Sequence, residues 1–199
     1  MRVRFTEEMR GFHNPGSPAY DAGYVTGNRD WHRISFRLTI GTGNLAAALR
    51  DPAHRMSATG FVRCRDLNAS DMPVENGSFD LFAPGGARGR ALMRYRLPIT
   101  TASGPMTLLG FKDISNDRGM DMWLDTTTLF IRLVPGIADF DAPPQHEYSR
   151  GILRLNAPML ARQLLTFRGT PAGIVRFLLF FQQGLRTTYG RPPRKDLVR

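Results

Sequence analysis

Glu7 is the first side chain whose position in the sequence suggests acid–base chemistry. It is in phase with the apolar residues of the alternating segment 3–9, so these side chains share one face of a strand. If that face is buried, burial raises the pKa of the carboxyl group and suits it to proton transfer. Alternatively, the faces are reversed, or an arginine such as Arg132 or Arg154 pairs with the carboxylate, because buried charges are usually paired.

A second candidate carboxylate, Asp125, lies at a strand entry beside Trp123 and ahead of a row of threonines. The functional interpretation is the rim of a pocket that offers hydrogen-bond donors and acceptors. The alternative is that the threonines are good strand formers and Asp125 ties a turn. We take Glu7 and Asp125 as the candidate catalytic residues, with Trp123 and Tyr95 as aromatic walls of the site.

Aromatic residues are concentrated in the long connection after the first strand, which holds Tyr20, Tyr24 and Trp31. A lid over a barrel mouth has this composition, and so does an ordinary packed surface loop. In the first case these three residues would contact a ligand.

Motifs for phosphate binding, for a serine nucleophile and for metal binding are absent from the sequence. Cys64 is the single cysteine, has no histidine near it in sequence, and a lone cysteine on a strand is usually a small core residue. We therefore expect no cofactor and no metal.

Apolar residues recur at every second position in segment after segment, most clearly in Ile34–Ile40. This period is typical of strands with one buried face. We predict about eight strands, at 3–9, 34–40, 61–67, 78–83, 91–99, 106–114, 126–134 and 149–155. Short glycine- and proline-rich turns separate them, which favours an antiparallel β-barrel because parallel pairing needs longer crossovers.

The sequence also contains a weak internal repeat. Residues 8–12, 36–41 and 60–64 have weak counterparts, in the same order, at 108–111, 130–136 and 151–155. The spacing of roughly 90 to 100 residues fits a duplicated half-domain, with units at 1–100 and 101–155, rather than a solenoid. Chance similarity among alternating strands is the other interpretation.

After Leu155 the pattern changes to a helical one. Asn156 with Pro158, and Thr170 with Pro171, are helix starts in which a side-chain oxygen caps a free amide. The sequence therefore predicts a mainly β protein with a barrel domain at 1–155, a two-helix extension at 156–190 and a flexible tail at 191–199.

The net charge of +10 comes almost wholly from arginine. Nucleic acid, an anionic membrane or an acidic partner could match such a charge. The arginines are single and scattered, without a nucleic-acid-binding motif, so nucleic acid is the least favoured partner. The apolar C-terminal helices instead favour a membrane surface or a partner enzyme. The charged N-terminus and the single cysteine predict a cytoplasmic, in part peripheral-membrane, protein.

Five segments, 5–12, 73–82, 109–112, 123–129 and 163–168, resemble a bacterial accessory domain found with cholesterol-oxidase-like flavoenzymes of the glucose-methanol-choline class. The likeness spans nearly the whole chain but carries no catalytic residues, and the flavin-binding glycine motif is missing. The resemblance implies a setting in sterol, lipid or other hydrophobic-metabolite chemistry.

The first functional hypothesis is a barrel that binds a hydrophobic small molecule, such as a lipid, sterol or polyketide, because about eight strands enclose just enough space for one small ligand. The alternative is a cofactor-independent cyclase or isomerase that folds such a substrate inside the barrel. A third hypothesis is a structural partner domain whose helices form an interface.

Overall fold

Eight antiparallel strands close into one barrel, which confirms the predicted fold class. The computed structural model describes residues 1–85, 90–114, 126–140 and 146–189. Each barrel strand pairs with the next one along the chain, and the last pairs with the first. The barrel strands are β1 (Val3–Pro15), β2 (Arg33–Thr42), β3 (Arg55–Cys64), β5 (Gly77–Pro84), β6 (Ala91–Thr101), β7 (Gly104–Ile114), β8 (Thr128–Pro135) and β9 (Ser149–Arg154).

Two short strands extend the sheet outside this ring. β4 (Met72–Pro73) pairs with β3, and β10 (Arg168–Gly169) pairs with the start of β1. The bounds of two barrel strands differ most from the prediction: β1 continues six residues past the predicted end at 9, and β3 begins six residues before the predicted start at 61. Arg55–Ala58 pair with β5 in register, although small and polar residues make the alternation there weak.

The inward faces of the strands form the core. In β2 the residues Ile34, Phe36, Leu38 and Ile40 are all buried, as their period of two predicts. The large side chains that are fully buried include Tyr95, Phe36, Met9, Leu81, Leu97 and Leu108. They come from strands all around the ring, so the interior is lined by apolar side chains from every side.

The connection between β1 and β2 is a helix, α1 (Tyr20–Arg29), that lies on the outer wall of the barrel against β1 and β9. Two glycines allow this close approach. A Cβ atom at Gly23 would lie 2.1 Å from the Arg150 carbonyl oxygen, and one at Gly27 would lie 2.1 Å from that of His13. The aromatic connection therefore packs on the barrel surface, as in the second sequence alternative, but it forms a helix rather than the expected loop.

Helix α2 (Leu45–Arg50) connects β2 to β3, and two further helices follow β9. The predicted caps are present: the Asn156 side chain accepts a hydrogen bond from the Met159 amide at the start of α3 (Ala157–Leu165), and Thr170 accepts one from Gly173 at the start of α4 (Pro171–Tyr189).

Helix α4 closes the barrel end at which β1 begins. The Phe177 side chain is 3% exposed, and its ring centroid lies 5.9 Å from that of Phe5 on β1. The Phe167 ring stacks on the Phe5 ring, with 5.0 Å between their centroids. Through Phe177, α4 therefore contributes to the core, whereas α3 has no buried residue. The predicted tail at 191–199 lies outside the described residues.

The three segment pairs of the predicted duplication fall on β1 and β7, β2 and β8, and β3 and β9. Phe12 and Phe111 both point outward, whereas Phe36 points inward and its counterpart Phe130 contacts Tyr20 on the outer wall. The order of the strands agrees with a duplication and the faces agree only in part, so the duplication stays a prediction. Within the described ranges, no helix has the length and apolar character needed to cross a membrane.

Candidate functional site

A charged pair lies inside the barrel, contributed by β1 and β7 and bridged to β6. Glu7 is in the middle of β1, and its neighbour on β2 is Leu38. In the ring of eight strands β6 is four strands from β1 in either direction, so the two face each other across the interior. Tyr95 on β6 and Lys112 on β7 therefore reach Glu7 from the opposite wall.

The three side chains form a hydrogen-bonded network. The Lys112 ammonium donates to Oε1 of Glu7 at 2.7 Å, and the Tyr95 hydroxyl donates to Oε2 at 2.8 Å. The Lys112 Nζ atom also lies 5.4 Å from the centre of the Tyr95 ring, where the ring face attracts a cation. Both carboxylate oxygens of Glu7 thus have a partner, and the network has a defined geometry.

The network is almost completely withdrawn from water. The side chain of Glu7 is 2% exposed and that of Lys112 is 3% exposed. Aromatic rings flank the network: Phe79 and Phe36 lie 4.8 Å and 5.9 Å from the Tyr95 ring. An ion pair in such surroundings gains strong attraction but loses the hydration of two charges, so it is a weak source of stability.

Burial, followed by the charge of Glu7, raises the pKa of Tyr95 well above its usual value. Tyr95 therefore stays neutral near pH 7 and can donate its proton to a hydrogen bond. A carboxylate, an ammonium and a phenol in contact can accept, donate and pass on a proton, which is the chemistry that the arrangement offers.

The partner of Glu7 differs from the one expected. Arg132 and Arg154 point outward: Arg132 binds Glu147, and Arg154 lies 4.8 Å from the Tyr24 ring. Lys112 takes the place of an arginine, and the sequence analysis did not consider it. The signal was present, because Lys112 is in phase with Leu108 and Ile114, which point inward on the predicted strand 106–114.

The remaining predicted site residues are not brought to this network. Tyr20 contacts Phe111 and Phe130 on the outer wall, and Tyr24 and Trp31 contact Phe12 there. Of the five predicted ligand-binding residues, Tyr95 lies in the interior. Trp123 and Asp125 lie outside the described residues.

A second polar cluster lies at the barrel end opposite α4, where β1 and β3 end. His13 is fully buried; its Nδ1 atom is 2.9 Å from Oγ of Ser149 and its Nε2 atom is 3.2 Å from Sγ of Cys64. Asp66, in the turn after β3, places Oδ2 3.4 Å from Nε2 of His13 and 2.7 Å from Nδ1 of His32. Sequence spacing could not reveal this cluster, because its members come from separate elements.

Burial is the largest influence on the pKa values of His13 and Cys64 in this cluster. It lowers the pKa of His13 to about 4, against the opposing effect of Asp66. Burial, with a contribution from Asp66, raises the pKa of Cys64 to about 12. At neutral pH the pair is therefore an imidazole beside a thiol, and not the imidazolium–thiolate pair of a cysteine nucleophile.

The fold and the interior network define the class of this protein as a closed antiparallel β-barrel, in chain order around the ring, with an ion pair in its interior. No protein-family model, curated protein or solved structure matches the chain.

Proposed function

We propose that the barrel binds one hydrophobic small molecule, such as a lipid, sterol or polyketide, with an oxygen of the ligand at Lys112. The observation that carries this proposal is the Glu7–Lys112 pair, buried among apolar side chains. Apolar sites with a few convergent polar groups are typical of small-molecule binding. Ionisable groups held inside such a site at a cost in hydration are candidates for function rather than for stability.

The donor capacity of Lys112 indicates which ligand chemistry fits. An ammonium group has three N–H donors, and among the described residues one hydrogen bond of Lys112 is seen, to Glu7. A carbonyl or carboxylate oxygen at the end of an apolar ligand would accept a further one. This agrees with the lipid or secondary-metabolite setting that the resemblance implies.

Native mass spectrometry with fatty acids, sterols and polyketides tests the proposal. Tyr95→Phe and Glu7→Gln should each lower the affinity for the retained ligand about tenfold, equivalent to about 1.4 kcal/mol, because each removes or weakens a hydrogen bond of the network that orients Lys112. The matched controls are Tyr20→Phe and Glu8→Gln, which change the same chemistry on the outer face. A wild-type protein that retains none of the three classes, or controls that lose as much affinity, would refute interior binding.

A second function, a cofactor-independent cyclase or isomerase, is supported by the contact between Glu7 and the Tyr95 hydroxyl. We propose that Glu7 removes a proton next to a ligand carbonyl while Lys112 stabilises the charge that develops on the carbonyl oxygen.

This second function has its own test. The ligand retained in the first experiment is incubated with the protein in deuterated water, and its mass is followed. Wild type and Glu8→Gln should catalyse deuterium uptake, whereas Glu7→Gln should not. Uptake that is equal in Glu7→Gln and wild type would leave ligand binding as the function.

The helical end of the barrel supports a surface contact as part of the same proposal. Leu165, Val175 and Leu179 are 78%, 56% and 60% exposed on α3 and α4, and arginines lie beside them in both helices. Such a face suits the interface of an anionic membrane. The free thiol of Cys64 fits a reducing compartment such as the cytoplasm.

Vesicle sedimentation tests the surface contact. Vesicles with phosphatidylglycerol should bind the protein and phosphatidylcholine vesicles should not, and Leu165→Asp should abolish binding. Val25→Asp, at an exposed position on α1, is the control. If the protein does not bind anionic vesicles but co-purifies with a flavoenzyme, the same face is instead the contact with a partner enzyme.

A further inference from the structure

The cluster at the barrel end where β1 finishes brings three different metal-ligating atoms together. Nε2 of His13, Sγ of Cys64 and a carboxylate oxygen of Asp66 all lie within 4.8 Å of one another. The first two come from the ends of β1 and β3, and the third from the turn that follows β3. Two rigid strands therefore fix the positions of two of the three atoms.

Two of the three separations, those from Nε2 of His13, can be compared with the distances between ligands around one small cation. Zinc binds histidine nitrogen at about 2.0–2.1 Å, thiolate sulfur at about 2.3 Å and carboxylate oxygen at about 2.0–2.2 Å in tetrahedral geometry. A nitrogen and a sulfur in that geometry are about 3.6 Å apart, and a nitrogen and an oxygen about 3.3 Å apart. The observed distances from Nε2 of His13 are 3.2 Å to Sγ of Cys64 and 3.4 Å to Oδ2 of Asp66.

The surroundings of the three atoms also fit a metal site. Ser149 lies 2.9 Å from Nδ1 of His13, so this nitrogen can carry the proton and donate it to the hydroxyl. Nε2 then presents its lone pair to the cluster. Metal-bound histidines are commonly oriented in this way by a partner on the other ring nitrogen. His32, 2.7 Å from Asp66, holds the carboxylate in place.

We propose that His13, Cys64 and Asp66 bind a single Zn²⁺ ion, with water in the fourth position. The mixed nitrogen, sulfur and oxygen set is one that zinc accepts and that Mg²⁺ and Ca²⁺ do not favour. On binding, the Cys64 S–H bond breaks, the thiolate coordinates the ion and the proton goes to solvent. The ion enters past Asp66 and His32, whose side chains are 28% and 33% exposed, and it ties the end of β1 to the end of β3.

Cobalt substitution tests the site in the untagged full-length chain. We expect one Co²⁺ per chain, with the visible bands of a tetrahedral centre and a thiolate-to-metal charge-transfer band in the near ultraviolet, all displaced by Zn²⁺. Cys64→Ser should abolish the charge-transfer band, and Asp66→Asn should weaken Co²⁺ binding at least tenfold.

The controls separate the metal site from general effects on folding. Asp71→Asn changes a carboxylate in the same β3–β4 connection, where Asp71 binds Arg63 on the surface, and should leave Co²⁺ binding unchanged. Asp66 is partly exposed, so Asp66→Asn tests the site even if Cys64→Ser does not fold. Absence of a bound metal in wild type, a charge-transfer band that persists in folded Cys64→Ser, or an equal loss in Asp71→Asn would overturn the proposal.

Discussion

The Tyr95 hydroxyl donates a 2.8 Å hydrogen bond to Glu7 from a strand 88 residues away in the sequence. The two strands are opposite each other in the ring, so this bond crosses the barrel interior. Lys112 holds the other oxygen of the same carboxylate. Closure of the barrel is therefore a condition for the network.

The Glu7–Lys112 pair should respond to single and double substitution in opposite ways. Glu7→Leu or Lys112→Met alone leaves a buried charge without its partner and should lower the free energy of unfolding by about 3–5 kcal/mol. The double variant replaces both charges by apolar groups. Its free energy of unfolding should lie within about 2 kcal/mol of the wild-type value. This difference includes the cost of leaving the Tyr95 hydroxyl unpaired.

Urea unfolding at neutral pH measures this cycle, with Glu8→Leu as the control on the outer face of the same strand. Glu8 binds Arg10 on the surface, so its loss should cost less than about 1 kcal/mol. A double variant that loses the sum of the two single effects would contradict the coupling.

Tyr95 should make the stability of the protein fall in alkali. Its pKa is raised in the folded state, so above about pH 10 the unfolded chain releases this proton and the folded chain keeps it. Stability is then lost as the pH rises, by up to about 1.4 kcal/mol per pH unit. Tyr95→Phe should lack this loss of stability, because phenylalanine has no hydroxyl proton to release.

Unfolding of wild type and Tyr95→Phe at about pH 9 and about pH 11 checks this effect. The stability advantage of wild type should shrink at the higher pH. A difference between the two proteins that stays constant over this range would show that Tyr95 ionises equally in both states.

Gly27→Ala should destabilise the protein although alanine is the better helix former. In an exposed helix this substitution adds up to about 1 kcal/mol of stability. Here the new methyl group would lie 2.1 Å from the His13 carbonyl oxygen, so α1 must move away from the wall, at a cost of about 1–3 kcal/mol.

Thermal unfolding measures the effect of Gly27→Ala, and Gly43→Ala is its control because a Cβ atom there meets open space. The near-ultraviolet circular dichroism should also change, since Tyr24 and Trp31 pack on Phe12. A gain in stability would mean that α1 does not lie against β1.

Phe177→Ala should show that the C-terminal helices belong to the barrel core. Phe177 is buried against Phe5 and Phe167, so its truncation should cost about 3–5 kcal/mol. Leu179→Ala, two residues further on and exposed, should change stability by about 0.5 kcal/mol or less. Equal effects in urea unfolding would make α4 a separate appendage.

The sequence by itself determined the eight strands of the barrel, the residues that share one face of a strand, and the two capped helices. These features are local, because the pleat sends successive side chains to opposite faces and a cap needs only the next three residues. Thus the alternate residues of Ile34–Ile40 were placed on one shared face, and Glu7 was placed with Val3 and Phe5, from spacing alone. The early start of β3 was missed, because Ser57 and Ala58 give little contrast between the faces.

Only the tertiary structure decided which side chains meet. Lys112 reaches Glu7 over 105 residues, and His13 reaches Cys64 over 51. These contacts depend on strand order, register and closure of the ring, which are set by the packing of the whole core rather than by any one segment. The outer position of α1 was decided in the same way, since Gly23 and Gly27 acquire their role only when β1 and β9 lie beneath them.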